Sequence, residues 1–106
     1  MTLPTPPTAI FSSNNLMVIG TMKALTHLGL RCPEDVSVAG LDDFPWADAF
    51  RPQLTTVAQP TRSIGEHAAN MLLDRLQGRV AGKAHRVVLN GELKVRESCL
   101  RAAPRS

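Results

Sequence analysis

Apolar positions along the chain alternate between short unbroken runs and stretches with the three-to-four spacing of a helix. Residues 8–11 (TAIF) are apolar and partly β-branched, which predicts a buried strand. Ser12, Ser13, Asn14 and Asn15 follow, residue types whose side chains accept hydrogen bonds from the orphan N–H groups that open a helix. The helix is expected to run to about Leu28, with Met17, Thr21, Ala24, Leu25 and Leu28 on one face. Leu16, Val18, Ile19 and Met22 make its first two turns apolar nearly all round, the pattern of a helix covered on more than one side. Gly29 suits a left-handed stop with Leu30 packing back, and Pro33 prevents continuation. Residues 36–41 (VSVAGL) then read as a central parallel strand, and Asp42 and Asp43 end it.

The second half repeats the alternation less regularly. A loop over residues 44–53 holds Pro45, Trp46, Phe50 and Pro52, and residues 54–57 (LTTV) predict a strand. Gln59 and Pro60 lead into a helix expected to be capped by Thr61, with Ile64, Ala68, Met71, Leu72 and Leu76 buried and Gly78 as its stop. Residues 79–84 form a polar loop, and two short strand signals at 86–89 and 92–95 flank Asn90-Gly91, a pair that usually marks a tight hairpin. The proline-rich residues 1–7 read as an extended lead-in, and the end from about Leu100 as frayed. The strand–helix–strand pattern is α/β, and such sheets bind ligands outside the carboxyl ends of their strands.

At 106 residues the chain suffices for one small domain, and 43% hydrophobic with 20% charged residues is an ordinary globular balance. Aromatics at 4%, with no tyrosine, argue against a base-stacking platform. The net charge of +3 is uneven, about −2 over residues 1–53 and +5 over 54–106, yet the basic residues of the second half are spread through helix, loop, strand and tail. That dispersal reads as a solvated surface rather than a nucleic-acid patch. Cys32 and Cys99 have no metal-ligand spacing, no secretory leader is apparent, and no apolar run spans a membrane. Those features predict a cytoplasmic protein with reduced thiols and no membrane association.

Asn14 and Asp42 are the candidate site. If the first two strands are parallel neighbours, both emerge at one sheet edge. A carboxylate accepting from paired hydroxyls, beside an amide that donates and accepts, suits a sugar or nucleoside; a helix cap and a turn residue are the structural alternatives. Asp42 with Asp43 could instead hold Mg²⁺ for phosphotransfer, but the first strand ends in Asn14 and Asn15 rather than a carboxylate, and no glycine-rich phosphate loop is present. His27, His67 and His85 lack metal spacing, and Ser12, Ser13 and Ser63 lack a nucleophile elbow. No catalytic residue, metal ligand or cofactor is assigned. Trp46 and Phe50 are either loop anchors or an apolar contact surface.

Several motifs occur together in order: TAIFSSNNLMVIGTMKALTHLGLRCPEDVSVAGLDD, then PQLTTV over 52–57, Gln59-Pro60, Gly65 and the ending LNGELKVRES. From about Thr8 to Ser98 they resemble the C-terminal part of the lactose/galactose-repressor (LacI/GalR) family, bacterial regulators with an operator-binding helix-turn-helix and a two-lobed, periplasmic-binding-protein-like effector domain. The resemblance implies a Rossmann-like lobe of that type, with Asn14 and Asp42 as effector contacts and Asn15, Gln59 and Ile64 as further candidates. Asn15 departs from the family's usual aspartate and removes a charge near the pocket. Asn90-Gly91 falls where the family has a proline-containing crossover, against the hairpin signal. The resemblance also implies that residues 8–58 and 92–98 belong to the second lobe and 59–91 to the first, within an effector-domain portion over 8–100 and a tail over 101–106. A homodimer through Ile19, Met22 and Phe50 is implied as well, with operator DNA reached only through an N-terminal domain outside this chain. The competing expectation is a free-standing periplasmic-type sugar-binding module, which would need export.

Overall fold

In a computed structural model that describes residues 1–79 and 82–104, two compact units divide the chain: Met1–Ala58 with Leu93–Ser106, and Gln59–Glu92. The first unit is built on β1 (Ala9–Ser12), α1 (Asn15–His27), β2 (Ser37–Leu41) and β3 (Thr55–Ala58). A short β4 (Glu92–Lys94) completes a four-stranded sheet of order β1-β2-β3-β4. The β1–β2 and β2–β3 pairs are parallel, as the α/β reading expects. Among the described residues no helix is long and apolar enough to cross a membrane.

Packing is centred on β2. Val18 and Leu25 of α1 are buried with Val36, Val38, Phe44, Ala47 and Leu54, and Ile10, Met22, Leu30, Cys32 and Phe50 close around them. Each fully buried aliphatic side chain contributes about 1.5–3 kcal/mol. Val18 seats directly over Gly40: a Cβ there would overlap the Val18 Cγ2 methyl, so glycine is what lets α1 approach the strand. The helix stops as its sequence predicts, with Gly29 at φ +71°, its N–H on Thr26 O, and Leu30 N–H on Leu25 O at 2.9 Å.

Several expectations are corrected. β1 is not a buried strand: it lies at the sheet edge, with Phe11 exposed and only Ser12 buried. The helix seam is Val18–Leu25 rather than Met17–Leu28, because close approach at Gly40 selects the face carrying Val18; Met17, Ala24 and Leu28 are exposed. Residues 86–89 form no strand and Asn90-Gly91 no hairpin: β4 begins only at Glu92, and among the described residues of 59–91 there is no strand for it to pair with. Leu100 itself is tied rather than frayed: its N–H donates to Ser37 Oγ at 2.9 Å and its C=O accepts from that hydroxyl at 3.0 Å.

In the second unit α2 spans Thr61–Leu76 and Gly78 (φ +72°) follows its end. Pro60, not Thr61, is the N-cap, without a side-chain bond, and no residue of α2 is buried. Ile64, Ala68 and Met71 instead line an open groove of about 570 Å³ with residues 85–89, while Leu72 and Leu76 face solvent. The predicted loop at 79–84 and tail at 101–106 include Val80, Ala81, Arg105 and Ser106, which lie outside the described residues.

Candidate functional site

Strand register decides where the site side chains emerge. Ser12 pairs with Gly40 across β1 and β2, so Asn14 and Asp42 each lie two residues past a matched pair, beyond the carboxyl ends of neighbouring strands. Asn14 is extended (φ −157°, ψ 172°) and its Oδ1 accepts from Met17 N–H at 2.9 Å, so it is the N-cap of α1. Capping uses one lone pair of an amide that also carries two donors. The cap and ligand roles therefore coexist chemically.

Asp42 is half-buried at φ +77°, in the left-handed region that asparagine and aspartate visit more readily than other non-glycine residues. Its N–H donates to Val57 O at 2.9 Å, extending the β2–β3 ladder to this position. A non-glycine residue held there stores of order 1–3 kcal/mol, and such residues cluster at ligand sites.

Asp43 does something else. Arg96 Nη1 and Nη2 donate to Asp43 Oδ1 and Oδ2, each at 3.0 Å, and Thr56 Oγ1 donates to Oδ1 at 2.9 Å. The guanidinium beside it, with the Thr56 hydroxyl, holds the Asp43 carboxyl below the usual carboxylate range, and Asp43 in turn raises Arg96. Both Asp43 oxygens thus face a fixed cation, which argues against Asp42 and Asp43 as a Mg²⁺ pair. Among the described residues no group of three or more metal-ligating side chains is found.

The remaining predicted residues separate into two sets. Asn15 is half-buried as the first residue of α1. Ile19, Met22 and Phe50 come together in one groove of about 530 Å³, with Lys23, Thr26, His27 and Arg51 around them. Phe44 is the anchor of that loop: it is buried, edge-on to Phe50 at 6.1 Å and tilted against Trp46 at 5.3 Å, while Trp46 is half exposed. Gln59 precedes α2 and Ile64 lies within it, both in the second unit. His67 Nδ1 meets Ser63 O at 2.8 Å, an ordinary helical contact. Both cysteines are free; their sulfurs donate to Ser98 O and Val38 O, and burial pushes the Cys32 thiol up, away from reactivity.

Sequence reasoning missed the stitching of residues 96–100 to the sheet. Ser98 is fully buried: its Oγ donates to Val38 O and accepts from Thr55 N–H, and its C=O accepts from Val38 N–H. Arg96 N–H donates to Thr55 Oγ1 at 2.9 Å. The only available signal was an Arg-Glu-Ser run directly after a strand, which periodicity does not weigh.

The chain matches the periplasmic binding protein-like domain over residues 1–99. It is 44% identical over 93 residues to the HTH-type transcriptional repressor PurR of Vibrio vulnificus, a match covering 87% of this chain and 27% of that protein. A LacI-family transcriptional regulator from Arthrobacter sp. FB24, solved in complex with lactose, superposes with a TM-score of 0.75 at 37% identity, over 88% of this chain and 35% of its own. The dimeric Lac repressor with an 11-residue C-terminal deletion gives a TM-score of 0.78 at 34% identity, covering 92% of this chain and 35% of its own. The chain spans about 30% of the length of the curated relatives it matches.

Proposed function

This chain belongs to the periplasmic-binding-protein-like family and, within it, to the LacI/GalR regulators, and on that footing we propose that it forms the effector-binding and dimerisation portion of a bacterial transcriptional regulator. The effector is a sugar or a purine-like molecule, recognised by hydrogen bonds and released unchanged. One observation carries the site. The Ser12–Gly40 register puts an amide and a carboxylate at neighbouring strand ends, with the carboxylate's residue in a left-handed conformation. Adjacent hydroxyls of a sugar match a carboxylate acceptor flanked by an amide, and the Arthrobacter relative is described as a lactose complex.

Asn14 and Asp42 are the principal contacts, with Asn15, Gln59 and Ile64 carried over from the family resemblance. Met1–Ala58 together with Leu93 onward is assigned to one lobe and Gln59–Glu92 to the other; the division of the chain at those boundaries supports this. Homodimerisation is assigned to Ile19, Met22 and Phe50, which share an apolar groove on the first unit. The dimeric state named for the Lac repressor relative favours the same reading. No DNA-reading role is given to these residues.

The test is an NMR titration of the isotope-labelled chain with lactose, ribose and hypoxanthine in turn. Saturable amide shifts at Asn14, Asp42 and their strand-end neighbours are expected with at least one of them. Saturable shifts confined to other surfaces, or none with any of the three, would remove Asn14 and Asp42 from the site.

A further inference from the structure

Asp42 sits between two anchors. On its amino side its own N–H is bonded to Val57 O, the last rung between β2 and β3. On its carboxyl side the Asp43 carboxylate is gripped at both oxygens by the Arg96 fork and at one by Thr56. The fork is itself built in: Arg96 Nη1 also donates to Leu54 O at 2.7 Å and to Thr56 Oγ1 at 3.2 Å, and its backbone N–H is held by Thr55 Oγ1. Thr56 is fully buried, and the Asp43 and Arg96 side chains are only 26% and 18% exposed. A chain pinned on both sides of one residue cannot relax that residue's φ independently, and the residue so trapped is the one at +77°.

We propose that Arg96 is a positioning residue for ligand recognition: acting through Asp43, it holds Asp42 in the left-handed conformation that presents its carboxylate at the strand edge. The inference rests on Asp42 being the effector contact proposed above. It gives the arginine a task distinct from stapling. A pair that merely tied the segment after β4 to the sheet could be exchanged for any contact of equal strength, whereas a positioning pair requires the two-pronged geometry. Lysine supplies the charge as a point and lacks the planar fork.

The experiment compares wild type, Arg96→Lys and Asp43→Asn by the Asp42 amide and Cα chemical shifts, which report its backbone conformation, and by titration with whichever of lactose, ribose and hypoxanthine moves the wild-type spectrum. In both variants the Asp42 signals are expected to leave their left-handed values and ligand binding to weaken roughly tenfold, the scale of one charge-assisted hydrogen bond. The amide shifts of Val18, Leu25 and Val36, in the core, should stay unchanged. Asp42 signals and affinity that remain wild-type in the folded variants overturn the inference and leave the ligand site standing. A wild-type spectrum that responds to none of the three ligands overturns both. If Arg96→Lys fails to fold, Asp43→Asn, which keeps the side-chain shape, decides alone.

Discussion

Asp42 and Asp43 are chemically identical neighbours with opposite assignments, set by what each carboxylate meets. Asp43 is matched to a guanidinium in a partly buried setting, where two parallel charge-assisted bonds are stronger than neutral ones. Its folded-state pKa is depressed, so its contribution to stability is complete above the ordinary carboxylate value of about 3.9 and is lost as pH falls through the lower folded-state value. Urea midpoints of wild type and Asp43→Asn should therefore differ by a constant amount from neutrality to about pH 5 and converge only on further acidification. Asp35, lowered by Arg31, is present in both proteins and cancels in the difference. A gap that persists unchanged into acid would show that the ion pair is not what distinguishes the variants. Asp42 was legible in the sequence as the strand-end acid matched with Asn14, but nothing local marked Asp43 for an ion pair. The residue that separates them, Arg96, lies 53 positions away.

At the scale of elements, sequence and structure agree where the signal is local. The Asn14 cap, the Gly29 and Gly78 stops and the run of small and apolar residues at β2 are each determined by residues within one turn or one strand. Agreement fails where packing decides. A helix apolar on every side has no periodicity to say which face meets the sheet, and the choice falls to Gly40, whose missing side chain admits Val18. Gly40→Ala should cost about 1–3 kcal/mol, the range for forcing an extra methyl into a packed core. Because Val18 is β-branched and stiff at χ1, it cannot swing aside. A denaturation midpoint equal to wild type would mean that α1 does not seat on β2 as described. β1 failed as a buried strand for a related reason: four apolar residues do not reveal whether the strand lies at the centre or the edge of its sheet.

Across the whole molecule, the apolar surface is distributed unlike that of a self-sufficient domain. Large exposed side chains include Leu16, Phe11, Trp46, Leu72, Leu76 and Val88, and α2 buries nothing. A contiguous apolar surface marks a place where other protein packs, and on the first unit Ile19, Met22 and Phe50 share one groove. On the first unit, that reading gives a concrete outcome. Sizing of the chain at micromolar concentration should return a dimer, and Ile19→Asp together with Phe50→Asp should return a monomer with an unchanged sheet. A wild-type monomer would withdraw the dimer assignment. The Asn14–Asp42 pair was legible because parallel register follows from strand–helix–strand spacing, but pattern alone could not rank a ligand site above a cap and a turn.

The decisive comparison is a paired titration of wild type and Asp42→Asn with the sugar or purine that moves the wild-type NMR spectrum. Asparagine is close to isosteric and also tolerates the left-handed region, so the fold should be unchanged while the charged acceptor is lost. A dissociation constant at least about tenfold weaker in Asp42→Asn is expected, with the shifts at Asn14 and position 42 abolished or desaturated. Equal affinity in the two proteins would contradict the assignment of Asp42 as the effector contact.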